Sequence, residues 1–196
     1  MYTWGYIKEC ALAKLDMDED EALDAKLLRK FPYYANEVIT QISSSIKPKQ
    51  TFAEFTITSD EVGRIQKMPK DFISFGADRN TITYYDGYYN SILRETNDDD
   101  YAYNGYNELI FWKQGVYRIS YNARWFSFYP NMENSTVIDV PVDIAECIPS
   151  YIAHQCYKTV DEYKASVLRN EYEMFLARID DTRYYNTSTL HIKGDW

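Results

Sequence analysis

The chain has 196 residues, enough for one domain or one domain with a large insertion, and its 45% hydrophobic content excludes global disorder. A formal net charge of −9 is the wrong sign for a protein held mainly by nucleic-acid phosphates or anionic membranes. With 20 tyrosines but only 2 histidines, 3 cysteines and 7 glycines, it is rich in large contact-making side chains and poor in nucleophilic, metal-binding or phosphate-binding groups.

Trp4, Ile7, Ala11 and Leu15 recur at steps of three and four and predict a helix with one buried stripe. Asp18 followed by Glu21 has the spacing of a capping box at the start of a second helix, which Leu23, Leu27, Leu28 and Phe31 continue. Pro32 suits the first turn of a third helix carrying Tyr34, Val38, Ile39, Ile42 and Ile46, and Pro48 ends it. Positions 1–48 therefore form an N-terminal helical segment.

From Thr51 the period changes to two. Ala53, Phe55 and Ile57 alternate with Glu54, Thr56 and Thr58, as in a half-buried strand. Phe72, Ile73 and Phe75 predict another strand, as do Ile82 and Tyr84. Asp86-Gly87 is a hairpin turn signal, and a second hairpin is expected from Glu108 to Asn122 with its turn at Gln114-Gly115. Tyr117, Ile119 and Tyr121 share one face of its second strand; Val137, Ile138 and Val140 suggest a closing strand. Residues 49–142 thus read as a tyrosine-rich antiparallel block of sandwich or barrel type. Within it, the acidic run 95–100 is expected to be an exposed loop.

Helical periodicity then returns. One helix is expected from Pro149 to Thr159, and a longer one through Tyr163, Val167, Leu168, Tyr172, Phe175, Leu176 and Ile179. Together they make a helical hairpin within 143–182. Residues 183–196 lack helical period and read as an extended tail whose apolar side chains suit a partner surface. The fold class is α+β, with both chain ends forming a helical subdomain around the inserted β block.

Chemical motifs are sparse. His154 and Cys156 stand two apart on a helix and point to different faces, which suits packing and not a nucleophile–base pair. Asp16, Asp18 and Asp20 begin like a calcium loop, but Glu21 and Leu27 replace its required Gly and Glu, so helix capping is expected instead. Cys10, Cys147 and Cys156 form no metal-ligand spacing and read as free thiols of a reducing compartment. No phosphate loop, dinucleotide fingerprint or hydrolase elbow is present. The opening MYTWGYIKEC has no signal-peptide pattern, and no apolar run approaches a membrane span. No catalytic, cofactor or metal site is expected.

In its order of elements the chain resembles the head–tail connector, or neck adaptor, proteins of tailed bacteriophages. The resemblance lies in the N-terminal helices leading into Phe31-Pro32-Tyr33-Tyr34-Ala35-Asn36-Glu37 and in a strand block opening around Met68-Pro69-Lys70-Asp71-Phe72. It continues in the helix pair after Ile148-Pro149, whose second member carries Tyr172-Glu173-Met174-Phe175-Leu176-Ala177-Arg178 before the tail. This likeness covers most of the chain. It implies a non-enzymatic virion protein of the neck, made in the host cytoplasm and assembled as a ring, commonly of twelve copies, beneath the portal protein. The implied partners are the portal, a tail or second neck protein, and further copies of the chain. DNA would pass through the channel without specific binding, repelled by an acidic wall, and no membrane is involved. The expected interface residues are Tyr88, Tyr89, Tyr117, Tyr172, Phe175, Tyr184, Tyr185, Leu190, Ile192 and Trp196. Two other readings start from the same residues: a carbohydrate-binding β-sandwich that stacks sugars on its tyrosines, and a small hydrolase using carboxylates outside any known motif.

Overall fold

The computed structural model describes residues 2–24, 26–75, 82–85, 94–95 and 100–185. Helices and antiparallel sheets are segregated, so the fold class is α+β. Two units divide the chain, one comprising 1–47 with 125–196 and the other 48–124.

The first unit is helical. Helix α1 (Trp4–Leu15) is capped by the Thr3 hydroxyl, which accepts from the Tyr6 amide, and it buries Trp4, Ile7, Ala11, Leu12 and Leu15. Asp16 ends it in the left-handed conformation. The short helix α2 (Glu19–Asp24) begins with the anticipated capping box, closed in both directions. The Glu21 amide donates to Asp18 Oδ1 at 2.8 Å, and the Asp18 amide donates to Glu21 Oε2 at 3.1 Å.

Leu27 and Leu28 do not extend α2. They lie in turns after Lys26, which has a φ of 58° and cannot continue a right-handed helix. Phe31 instead opens helix α3 (Phe31–Gln41), with Pro32 in its first turn. A π-helical turn, Ile42–Ile46, then runs to the unit boundary at Lys47.

Helix α4 spans Val142–Tyr157, seven residues earlier than Pro149 suggests, with that proline inside it. It packs against α1, α3 and helix α5 (Glu162–Tyr185). The expected helical hairpin is therefore α4 and α5, with α4 at the centre of the core. Tyr184 and Tyr185, assigned to an extended tail from residue 183, belong to the α5 backbone.

Residues 125–141 were expected to close the β block but belong to the helical unit. Asn36 holds this stretch at Phe128: its Nδ2 donates to the Phe128 carbonyl at 2.6 Å, and its Oδ1 accepts from the Phe128 amide at 2.8 Å. The Trp4 and Gly5 amides donate to the Thr136 and Asn134 carbonyls, both at 2.9 Å. A Cβ on Gly5 would meet the Asn134 Cβ at 3.1 Å, so this approach favours glycine. In place of a closing strand, Val137 makes one isolated bridge to Thr3 while Ile138 is buried in the helical core.

The second unit carries the strands β1 (Lys49–Ile57), β2 (Ile65–Lys67), β3 (Phe72–Phe75), β4 (Ile82–Tyr85), β5 (Arg94–Glu95), β6 (Tyr101–Tyr103), β7 (Glu108–Phe111) and β8 (Gly115–Ala123). One sheet runs β1-β8-β4-β5 with β3 also on β8, and the other runs β2-β7-β6. Both contribute to one core, with Leu109 and Phe111 from one sheet and Tyr117, Ile119 and Tyr121 from the other.

The hairpin expected from Glu108 to Asn122 does not form. Strands β7 and β8 follow each other in sequence but join different sheets. Their connection turns the buried faces toward one another, and the Phe111 and Tyr117 rings meet at 4.2 Å between centroids. Gly115, at φ 145°, begins β8 in a conformation open to glycine. The Asp86-Gly87 turn lies outside the described residues, between β4 and its antiparallel partner β5.

Candidate interaction surface

Among the described residues, no group of three or more His, Cys, Asp or Glu side chains is arranged to hold a metal ion. His154 Nδ1–H donates to the Ala165 carbonyl at 2.9 Å and ties α4 to α5. Cys156 is buried, and that burial pushes its thiol up to about 11. Both residues thus serve packing. Of the acidic run, Asp100 is not an exposed loop residue: its side chain is 13% accessible and pairs with the Lys113 ammonium.

The candidate site is a surface on α5. One face of this helix supplies Ala165, Leu168, Tyr172 and Ile179 to the core, with Phe175 and Leu176 packed against it. Electrostatic and polar contacts fix that orientation. Lys14 Nζ of α1 reaches Glu171 Oε1 at 2.6 Å, and the Tyr172 hydroxyl donates to Gln41 Oε1 at 2.9 Å. The Tyr172 ring packs edge-on against Tyr151 at 4.9 Å. Burial, with Cys147 and Tyr151 nearby, pushes the Tyr172 phenol up from its ordinary range.

A second apolar stripe lies about 150° round the same helix at 3.6 residues per turn. Tyr163, Val167 and Met174 form it, and they are 80%, 50% and 62% exposed. Asn170 occupies the remaining step. An ion pair, Arg169 Nε to Glu173 Oε1 at 2.8 Å, borders the stripe on one side, and Glu171 with its Lys14 partner borders the other. Large apolar side chains at the centre and charges at the rim are the anatomy of a protein interface.

In the second unit, Ile65, Ile110 and Ala102 stand in register across the three-stranded sheet on the side opposite the buried Leu109. Ile65 and the neighbouring Trp112 are exposed. The adjoining row is polar, with Asn104 Nδ2 donating to Glu108 Oε2 at 2.5 Å.

These positions revise the expected interface. Tyr117 is 0% exposed and Tyr172 5% exposed, so both are core residues, and Phe175 packs against the helical core. The Tyr117 hydroxyl donates to the Lys113 carbonyl at 3.0 Å. Burial of these residues follows from their phase on α5 and β8. Tyr88, Tyr89, Leu190, Ile192 and Trp196 lie outside the described residues, and Tyr184 and Tyr185 are placed by backbone only. The structure therefore brings none of the ten together as one patch among the described residues.

Tyr163 and Val167, expected to share one apolar stripe with Leu168 and Tyr172, stand instead on the outer face of α5 together with Met174. The signal was present: 163, 167, 170 and 174 step by four, three and four, out of phase with 165, 168, 172 and 179. No protein-family model matches the chain, and no curated protein matches it. No helix among the described residues is long and apolar enough to cross a membrane.

Proposed function

We propose that this chain is a structural protein of a bacteriophage virion, a head–tail connector that assembles as a ring beneath the portal. In this reading its two chain ends form a helical subdomain, the inserted β block is a small sandwich, and residues beyond α5 serve as a contact tail. The observation that carries the proposal is the second apolar face of α5. A helix apolar on two faces needs two coverings, and among the described residues the helical core supplies only one. Tyr163, Val167 and Met174 are then the face that docks on a portal ring.

The sugar-binding reading asks for tyrosine rings held open as a platform. Among the described residues of the β block, Tyr101 packs against the β core, whereas Tyr103, with its ring on Phe75 at 4.8 Å, and Tyr106 are exposed, 39% and 83%. They do not add up to the row of open rings that a sugar platform needs.

The test is electron microscopy of assembled particles together with capture by the portal protein. Density for the chain should lie at the neck. Val167→Lys combined with Met174→Glu should abolish portal capture while changing folding stability by no more than about 0.5 kcal/mol per site, the usual range for surface substitutions. Density elsewhere, or undiminished capture by the double variant, would sink the reading.

A further inference from the structure

Among the described residues, strand β1 is paired on one side only. Its nine residues run in unbroken register against β8, from Lys49 opposite Ala123 to Ile57 opposite Gly115. Among the described residues β8 is its sole strand partner. Every second residue of β1 therefore turns its N–H and C=O away from β8, along an edge able to accept another strand. There is no proline, no bulge and no inward-pointing charge along 50–57. The inner-face residues Thr51, Ala53 and Phe55 are only half buried although they point into the β core. A further strand would cover them.

The chain carries a segment of matching character. Residues 187–193 read Thr-Ser-Thr-Leu-His-Ile-Lys. Leu190 and Ile192 alternate with Thr189, His191 and Lys193, the period of a strand with one apolar face. Three of the seven are β-branched, and none is Gly, Pro, Asp or Glu. The single formal charge is positive, in a chain of net −9. On β1 the solvent-facing side carries Phe52 and Glu54, with the Arg118 guanidinium over the Phe52 ring at 3.5 Å and 4.0 Å from Glu54.

We infer that residues 187–193 of one copy add as a strand to the open edge of β1 in a second copy. Leu190 and Ile192 then lie beside Ala53 and Phe55 on the core side. Thr189, His191 and Lys193 fall beside Phe52 and Glu54, where the lysine meets a carboxylate. Main-chain hydrogen bonds along the edge supply the attachment, and the alternating side chains set the face. The donor segment and the acceptor edge are different parts of the chain, so each copy can give one strand and receive one. Such a head-to-tail contact closes into a ring when the rotation permits. The inference rests on the self-assembly in the proposed function and names the contact that makes it.

The test uses full-length protein at natural isotopic abundance mixed with full-length 15N-labelled protein. The two are combined when dilute, concentrated together and treated with a carbodiimide, which joins an amine to a carboxylate without a spacer. Mass spectrometry should find Lys193 joined to Glu54 in pairs of mixed isotope. Leu190→Asp with Ile192→Asp should lose that link while the circular dichroism of the chain stays unchanged. Links confined to one isotope would place the tail on its own copy and overturn the inference. Absence of the link in the unsubstituted chain, or its persistence in the double variant, would overturn it too. A neck ring seen by electron microscopy without the link removes only the strand exchange. A link found in a protein absent from the neck removes only the connector reading.

Discussion

Cys147 and Cys156 sit in the helical core, and burial pushes their thiols from an ordinary 9.0 up to about 12 and about 11. The carboxylates of Asp143 and Glu146 add to the shift at Cys147. In the β core, burial and the Asp71 carboxylate, 3.1 Å from its hydroxyl, raise the Tyr121 phenol from 10.0 to about 12. All three groups are neutral when protonated, so the folded chain keeps protons that the unfolded chain gives up first. Unfolding then releases protons, and stability falls as pH rises. This contribution is fully present below about pH 9 and is lost upward through the folded-state values. The urea midpoint should therefore be level with respect to these groups at neutral pH and decline steadily above about pH 9. A midpoint unchanged from pH 8 to pH 11 would show that these side chains are solvated.

At the next scale, α2 depends on its cap more than on its length. Six residues are too few to be stable as a helix alone, and the reciprocal Asp18–Glu21 bonds satisfy two amides at its start. Asp18→Ala should cost about 1 kcal/mol, while Asp18→Ser should restore most of it. Denaturant unfolding of the two variants measures the difference. This element was legible because a cap is a local bargain between residues three apart. Strands β1 and β8 were legible for a similar reason, since a period of two assigns each side chain to a face. The same period says nothing about which strand lies alongside. Glu108–Phe111 and Gly115–Ala123 alternate as hairpin arms would, yet they line opposite sides of one core. Pro149 misled in another way. A proline usually marks a helix start, but α4 tolerates one at its middle because its packing against three helices outweighs one lost backbone bond. The outer stripe of α5 went unread because a helix with two apolar phases, once they are merged, looks like one broad stripe.

Over the whole molecule, the two units have separate cores with no residue in common. The N-terminal helices cannot fill theirs alone. Ile7, Ala11 and Leu15 of α1 share a core with Ile144, Ile148 and Ile152 of α4, and Tyr157 donates its buried hydroxyl to the Leu15 carbonyl at 2.7 Å. Residues over a hundred positions apart are thus parts of one cooperative structure, whereas 48–124 carry a core of their own. Leu168 is a discriminating probe because it lies in the helical core, on the face of α5 away from the exposed stripe. Leu168→Ala should cost about 2–5 kcal/mol through lost burial and the cavity left behind. Amide hydrogen exchange should then accelerate in α1, α3, α4 and α5 together, including segments far from the substitution in sequence. The amides of β8 should keep their original protection, because local opening follows cooperative units. Equal acceleration in β8 would mean that the two cores unfold as one. Loss of protection confined to α5 would mean that α1 and α3 stand without it.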